Sequence, residues 1–344
     1  VGQTLHADSS SRSKTLTLVS APREVWQVSR EQVTALREQA RQTELGPYVQ
    51  HWLARYNEVG RRGDFLWRWC LANVKLVTLP CVEPRFVQHL AETKMIHLIF
   101  LCLIDDIVDE RHDAQMFHAA LALTQGGGAE VLAAFDCERR NYLELLRASW
   151  DELWQRTATY PRYQEFADDL RFDYAQVLQG LWHSLRINVS PARINVYEND
   201  AYQPHNMAMV YMAMLDLCAS PDFDVRELGL ARELFLHGQM MGRIGNTLAT
   251  WERELASHDY ASGMFAHAVD LGVIDADGLH VGGQERLAES LREPAVSGRL
   301  MDVWRVHRDK MARKTQRIHS VDFAPYLRAC EDLVASHQSG RGLM

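Results

Sequence analysis

Nothing in this 344-residue chain is a long hydrophobic run. The apolar stretch from Met95 to Ile104 is interrupted by His97 and ends at acids. No segment approaches the roughly 20 uninterrupted apolar residues of a membrane span. Dense Lys/Arg runs are missing too, and the formal net charge is −8 with a sequence pI of about 6.0. Nucleic acid is therefore not the expected partner, and an anionic ligand would need local help from a metal or from arginine. The six cysteines, Cys70, Cys81, Cys102, Cys137, Cys218 and Cys330, form no CxxC pair. That spacing suits reduced thiols in a cytoplasmic protein. There is no GxxxxGK(S/T) phosphate loop, since Gly126-Gly127-Gly128 has no following Lys, and no HExxH or other tight His set. The Ser-rich start, Val1 to Lys14, lacks an apolar core, so residues 1–20 are expected to be a disordered arm and not a signal peptide. No alternating β-branched runs bounded by turn dipeptides occur, which argues against a sheet.

What is present is helical periodicity. With 47% hydrophobic and 24% charged residues the composition is that of a globular protein. Apolar residues recur at three-to-four spacing over 30–58, 86–110, 129–156, 161–187, 206–218, 225–256, 296–319 and 323–337. The breaks between them, such as Thr78 to Pro84, Val189-Ser190-Pro191, Gln203-Pro204 and Ser220-Pro221, are short connections and not domain linkers. The expectation is a single all-α domain over residues 21–340, its helices packed around a common core.

Two constellations carry chemistry. The first is Asp105-Asp106-Ile107-Val108-Asp109-Glu110, directly after the apolar stretch. On a helix, Asp105 and Asp109 share one face and Asp106 and Glu110 an adjacent one. Like charges at this spacing repel, and the nearest basic residues in sequence are Lys94 and Arg111. A cation is expected there, and clustered carboxylates are the hard-oxygen setting that Mg²⁺ takes. The second is Asn246-Thr247-Leu248-Ala249-Thr250-Trp251-Glu252-Arg253-Glu254, where Asn246, Thr250 and Glu254 fall at i, i+4 and i+8 on one stripe. Facing each other across a cavity mouth, two such helices would hold a metal cluster and, through it, a diphosphate. A third acid group, Asp168-Asp169 to Asp173, is flanked by Arg162 and Arg171 and reads as a solvated face.

On these residues the chain resembles a class I terpene synthase of the microbial, single-α-domain type, over the span from Phe65 to Arg317. That family pairs a DDxxD motif, matched by Asp105 to Asp109, with an ND(L/I)xSxxxE motif. Asn246 to Glu254 keep its Asn, Thr for Ser, and Glu, with Thr247 replacing an acid that is not a ligand. The resemblance implies a class I terpenoid synthase helical bundle, often a homodimer, and a lyase that ionises an isoprenoid diphosphate and cyclises the resulting cation. It implies a three-ion Mg²⁺ cluster held by Asp105, Asp106, Asp109 and Glu110 on one lip and by Asn246, Thr250 and Glu254 on the other. Asp105, Asp109, Asn246, Thr250 and Glu254 are the catalytic set it points to.

Metal would offset charge on the departing diphosphate, while aromatic and apolar side chains shield the cation from water. Candidates for the shield are Phe65, Trp67, Trp69, Phe100, Leu101 and Trp304. Arg253 and Arg317 are candidate phosphate contacts, because a guanidinium matches phosphate oxygens bidentately. Microbial members carry a diphosphate-sensing Arg after a Tyr; here Tyr202 is followed by Asn206 at that place. Bacterial kaurene synthases, which take copalyl diphosphate, look similar in a His-Asn pair, here His205-Asn206. A diterpene substrate, copalyl or geranylgeranyl diphosphate, is the expectation. The alternatives are a sesquiterpene cyclase on farnesyl diphosphate, a chain-elongating prenyltransferase, and a non-catalytic helical binding protein. A prenyltransferase would need a second DDxxD where Asn246 to Glu254 stand.

Overall fold

Local signals set most helix boundaries in the computed structural model, which describes residues 26–281 and 283–343. The expected arm over 1–20 lies outside the described residues. Ser29 opens α1 (Arg30–Gln42) with a reciprocal capping box, its hydroxyl accepting from the Gln32 N–H at 3.2 Å while Gln32 Oε1 accepts from the Ser29 N–H at 2.9 Å. The single segment expected over 30–58 is two helices, because Pro47 starts α2 (Pro47–Tyr56) afresh after Gly46. Then come α3 (Asp64–Leu76), α4 (Val87–Asp105), α5 (Ala114–Thr124), α6 (Ala129–Leu132), α7 (Cys137–Thr157) and α8 (Tyr163–Val189). The carboxy-terminal half runs α9 (Val196–Tyr202), α10 (Met209–Cys218), α11 (Leu228–Ala256), α12 (Gly263–Asp270), α13 (Gly278–Val281), α14 (Gln284–Leu291), α15 (Pro294–Thr315) and α16 (Ala324–Gly340). No strand occurs among the described residues. The all-α expectation holds, and one hydrophobic core runs from Leu45 to Val334.

Helix α4 lies at the centre of this core, packed on α2, α3 and α7. It is apolar on every side, as a helix surrounded by others must be, and Met95, Ile96, Ile99, Phe100, Leu103 and Ile104 are fully buried. Two of its buried polar side chains, Lys94 and His97, find partners on other helices. Lys94 Nζ lies 2.6 Å from Asp216 Oδ1 on α10, both side chains fully buried, and the Leu79 N–H donates to Asp216 Oδ2 at 2.9 Å. His97 Nδ1 lies 3.1 Å from the Tyr174 hydroxyl, and its ring sits 5.0 Å from that of Tyr211. Opposite α4, the long helix α11 packs on α10, α15 and α16.

Two features place the elements around the site. Gly180 lets α8 press against a 3₁₀ turn, Gln203–Met207; a Cβ there would lie 2.3 Å from Asn206 Oδ1 and 2.8 Å from the Tyr202 carbonyl oxygen. After that turn Ala208 adopts φ +50°, a left-handed conformation costly for a residue with a Cβ, and α10 begins in a new direction. The acid group on α8 departs from its expected solvated role at one position. Asp173 is buried and bidentately paired with Arg232 of α11 at 2.6 and 2.8 Å, while Asp168 pairs with Arg171 at the surface.

Candidate active site

The first acid motif straddles a change of helix type. Regular α-helix ends at Asp105, and Asp106–Glu110 form one π turn closed by the Arg111 N–H donating to the Asp106 carbonyl, five residues back, at 3.0 Å. The four acids divide. Asp105 and Asp109 line a cleft that is partly open to solvent. Asp106 and Glu110 turn the other way, towards the loop before α3, and neither lines that cleft.

Arg62, in that loop, is what they meet. Its Nε donates to Asp106 Oδ1 at 2.9 Å, and its Nη2 lies 3.3 Å from Glu110 and 3.6 Å from Asp105. The Tyr56 hydroxyl adds a 3.3 Å bond to Asp106 Oδ2. The absence of a basic partner expected from neighbouring sequence is thus corrected by a residue from another part of the chain. Asp106 and Glu110, expected as metal ligands, are engaged by this ion-pair network and do not line the cleft. Burial still pushes the Asp106 carboxyl up to about 6 despite the guanidinium beside it.

The opposite lip is the stripe on α11. Asn246, Thr250 and Glu254 all line the same cleft. The Thr250 hydroxyl lies 2.8 Å from the Asn246 carbonyl oxygen and 2.7 Å from Glu254 Oε1, and its single hydrogen serves one of them at a time. Glu254 is 3% exposed and its Oε2 has no hydrogen-bond partner. A buried carboxylate oxygen without a donor is costly unless a cation completes it.

Two residues outside both motifs, Asp259 and Arg243, line the cleft, and Asn188 stands behind it. Asp259, just past α11, is buried in the cleft, and Asn188 at the end of α8 donates to both Asp259 Oδ1 (3.0 Å) and Asp109 Oδ1 (3.2 Å). Arg243, three residues before Asn246, donates to Gln203 Oε1 at 3.0 Å and Asn246 Oδ1 at 3.3 Å, and its buried Nε has no partner. Burial, then the charges of Asp259 and Asp105, hold the Asp109 carboxyl well above its ordinary range. Burial and the Glu254 charge push Asp259 up to about 7. Concentrated, desolvated negative charge of this kind favours cation binding. Among the described residues no three Asp, Glu, His or Cys side chains converge on one ready-made ion position. Mg²⁺ does not require one, because it usually takes one or two carboxylates and completes its octahedron with water and substrate phosphate.

The remaining expected residues separate by helical phase. Leu66 and Trp69, at i and i+3 on α3, line the cleft, as do Leu101 and Cys102 one turn before Asp105, and Met207. Trp67 faces away and packs edge-on against Tyr56 at 4.8 Å. Phe100 packs on Trp150 and Tyr174, and Trp304 on Trp26 at 5.2 Å, so all three are core residues and not cleft walls. Phe65 is half-buried and also outside the cleft. Asn206 lines the cleft with Oδ1 unpartnered, held by Nδ2 bonds to Ser184 (3.1 Å) and Gln203 (3.2 Å). Arg253 reaches the cleft from an exposed position. Arg317 lies exposed beyond the end of α15 and does not line it.

No protein-family model matches the chain, and no curated protein matches it. Solved structures do. Abietadiene synthase from Abies grandis is similar with a TM-score of 0.60 and 11% identity, over 91% of this chain and 38% of that one. Isoprene synthase from leaves of grey poplar, Populus x canescens, is similar with a TM-score of 0.56 and 11% identity, over 89% of this chain and 53% of that one. Its complex with three Mg²⁺ ions and dimethylallyl-S-thiolodiphosphate gives the same TM-score and identity over 54% of its length. The chain therefore spans from just under two-fifths to just over half of these structures. At such identity the likeness establishes the fold, the all-helical class I terpene synthase fold.

Proposed function

We propose that this protein is a class I terpene cyclase that releases diphosphate from an isoprenoid diphosphate and cyclises the carbocation left behind. One observation carries the reading. Two oxygen-rich stripes far apart in sequence, Asp105/Asp109 and Asn246/Thr250/Glu254, line one cleft, and a buried carboxylate oxygen of Glu254 is left without a partner. Hard, under-satisfied oxygen donors fit Mg²⁺. The residues that would hold it are Asp105 and Asp109 on one lip and Asn246, Thr250 and Glu254 on the other; the similar isoprene synthase complex with three Mg²⁺ ions supports a cluster of that size. Bound there, Mg²⁺ supplies Lewis-acid stabilisation of the negative charge that grows on the departing diphosphate.

The chain's own residues do the rest. Arg243 faces the cleft beside Asn206 with an unpartnered Nε, so the cationic phosphate contact that Asn206 lacks comes from α11, and Arg253 adds a second at the rim. Ionisation leaves an allylic cation below the diphosphate. Trp69, Leu66 and Leu101 would meet it with an aromatic ring and saturated carbon, which offer no lone pair to trap it. Arg62 holds Asp106 and Glu110 out of the cleft and fixes the π turn that presents Asp105 and Asp109.

A diterpene diphosphate, copalyl or geranylgeranyl, is the favoured substrate on the strength of Asn206 in the sensor position. Incubation with farnesyl, geranylgeranyl and copalyl diphosphates and Mg²⁺, followed by mass analysis of extracted hydrocarbons, tests this. A cyclic C20 product is expected. A C15 product alone would replace the substrate assignment, and chain-elongated diphosphates would replace the reaction.

A further inference from the structure

Asp259 belongs to neither motif, yet the structure builds it into the cleft more firmly than several residues that do. It follows α11 by three residues, is 7% exposed and lines the cleft with Asp109 and Glu254. Its Oδ1 accepts from the Ala261 N–H at 3.1 Å and from Asn188 Nδ2 at 3.0 Å. The same Asn188 nitrogen gives its other hydrogen to Asp109 Oδ1 at 3.2 Å, and Asn188 Oδ1 accepts from the Tyr260 N–H at 2.9 Å. One amide on α8 thus ties the acid of the first lip to an acid beyond the second. The two bound oxygens lie at most 6.2 Å apart, the sum of the two bonds they share.

These bonds engage one oxygen of each carboxylate. An amide is neutral, so these bonds cancel no charge; the Arg243 guanidinium offsets only part of it for Asp109 and Asp259, and among the described residues no Lys, Arg or His lies within ion-pair distance of Asp109, Asp259 or Glu254. Independently, Glu254 is 3% exposed, lines the same cleft and leaves its Oε2 without a hydrogen-bond partner. Three desolvated carboxyl groups lining one cleft stay neutral by holding protons or, ionised, draw in a cation and close on it. We propose that Asp259 is a third carboxylate ligand of the divalent-cation site, bridging the gap between Asp109 and Glu254, and that Asn188 is the residue that positions both acids. This rests on the function proposed above and extends it to two residues that no motif contains.

The test uses Mn²⁺ as a spectroscopic substitute and reads binding, not turnover. Mn²⁺ is titrated onto the full chain with inorganic diphosphate, free ion being followed by electron paramagnetic resonance, for wild type, Asp259→Asn, Asn188→Ala and Glu254→Gln. Thermal melts in the absence of metal accompany each. Asp259→Asn is expected to weaken Mn²⁺ binding at least tenfold or to remove one ion, and Asn188→Ala to weaken it about 10- to 100-fold. The Asp259→Asn melt should stay unchanged or rise, since like-charge repulsion is relieved. Wild-type binding in both Asp259→Asn and Asn188→Ala, with binding lost in Glu254→Gln, would overturn the role of Asp259 and leave the proposed function standing. Failure of the wild type itself to bind Mn²⁺ with diphosphate would overturn both.

Discussion

Replacing His97 by Gln should make the protein less sensitive to acid. His97 sits at the centre of α4, fully buried, with Nδ1 against the Tyr174 hydroxyl and Nε2 without a partner. Burial, reinforced by the Lys94 charge, pushes its pKa from 6.5 down to about 3. The sign follows from linkage. Above 6.5 neither state holds the proton and the contribution of His97 is complete; as pH falls towards 3 the unfolded chain takes up a proton that the folded chain refuses, and stability is lost. Between pH 7 and pH 5 this amounts to about 2 kcal/mol. For 344 residues the unfolding entropy is about 0.7 kcal/mol/K, so the loss corresponds to about 3 °C in Tm. Melts of wild type and His97→Gln at both pH values isolate the effect. His183, His307 and His337, whose pKa values burial also lowers, are present in both proteins and cancel in the comparison. The wild-type Tm should drop about 3 °C more than that of the variant. Equal drops would show that the folded chain does not keep His97 neutral.

Lys94→Met leaves Asp216 charged and unpaired in the core and should cost about 3–5 kcal/mol in a denaturant melt, much of it recovered by adding Asp216→Leu. Gly180→Ala would drive a methyl group into Asn206 and the Tyr202 carbonyl, so it should cost about 1–3 kcal/mol by the same melt and disturb the turn beside the cleft; Gly229→Ala, with open space around it, should be nearly silent. Arg243→Gln removes the proposed charged phosphate contact, worth about 1.5–3 kcal/mol, so steady-state kinetics should show kcat/KM falling about 10- to 150-fold, whereas Arg317→Gln, outside the cleft, should leave it unchanged.

Helix content and the two oxygen stripes were legible in the sequence because both depend on local spacing. Asn246, Thr250 and Glu254 lie on regular α-helix, and the i, i+4, i+8 rule places them correctly along one side of α11. The same rule described the first motif less well. The turn at Asp106–Glu110 is π and not α, and what sorts its acids is Arg62, a long-range partner that no local pattern announces. Arg62, Asn188, Arg243 and Asp259 escaped for that reason: each is a single polar residue whose meaning depends on which helix lies opposite. Arg243 had one usable signal, its position three residues before Asn246 on a helix already assigned to the site, which puts it on the same stripe. The aromatic candidates show the limit of composition. Trp67 and Trp69 are equally apolar and two residues apart, so only one of them can face the cleft, and the structure selects Trp69. The helices over 64–76, 114–124, 196–202 and 263–270 were not among the periodic segments; they are short, and their caps, such as Asp113 and Ser262, carry the boundary information that a periodicity scan overlooks.

In the proposed reaction, the cleft between Asp105/Asp109 and Asn246/Thr250/Glu254 ionises an isoprenoid diphosphate with a divalent cation. Diphosphate released from copalyl or geranylgeranyl diphosphate, measured with and without Mg²⁺ for wild type and Glu254→Gln, tests it most directly. Release by the wild type only with Mg²⁺, and loss of that release in a Glu254→Gln variant with an unchanged melt, is the predicted result. Equal release by both proteins, or release indifferent to Mg²⁺, would contradict the account.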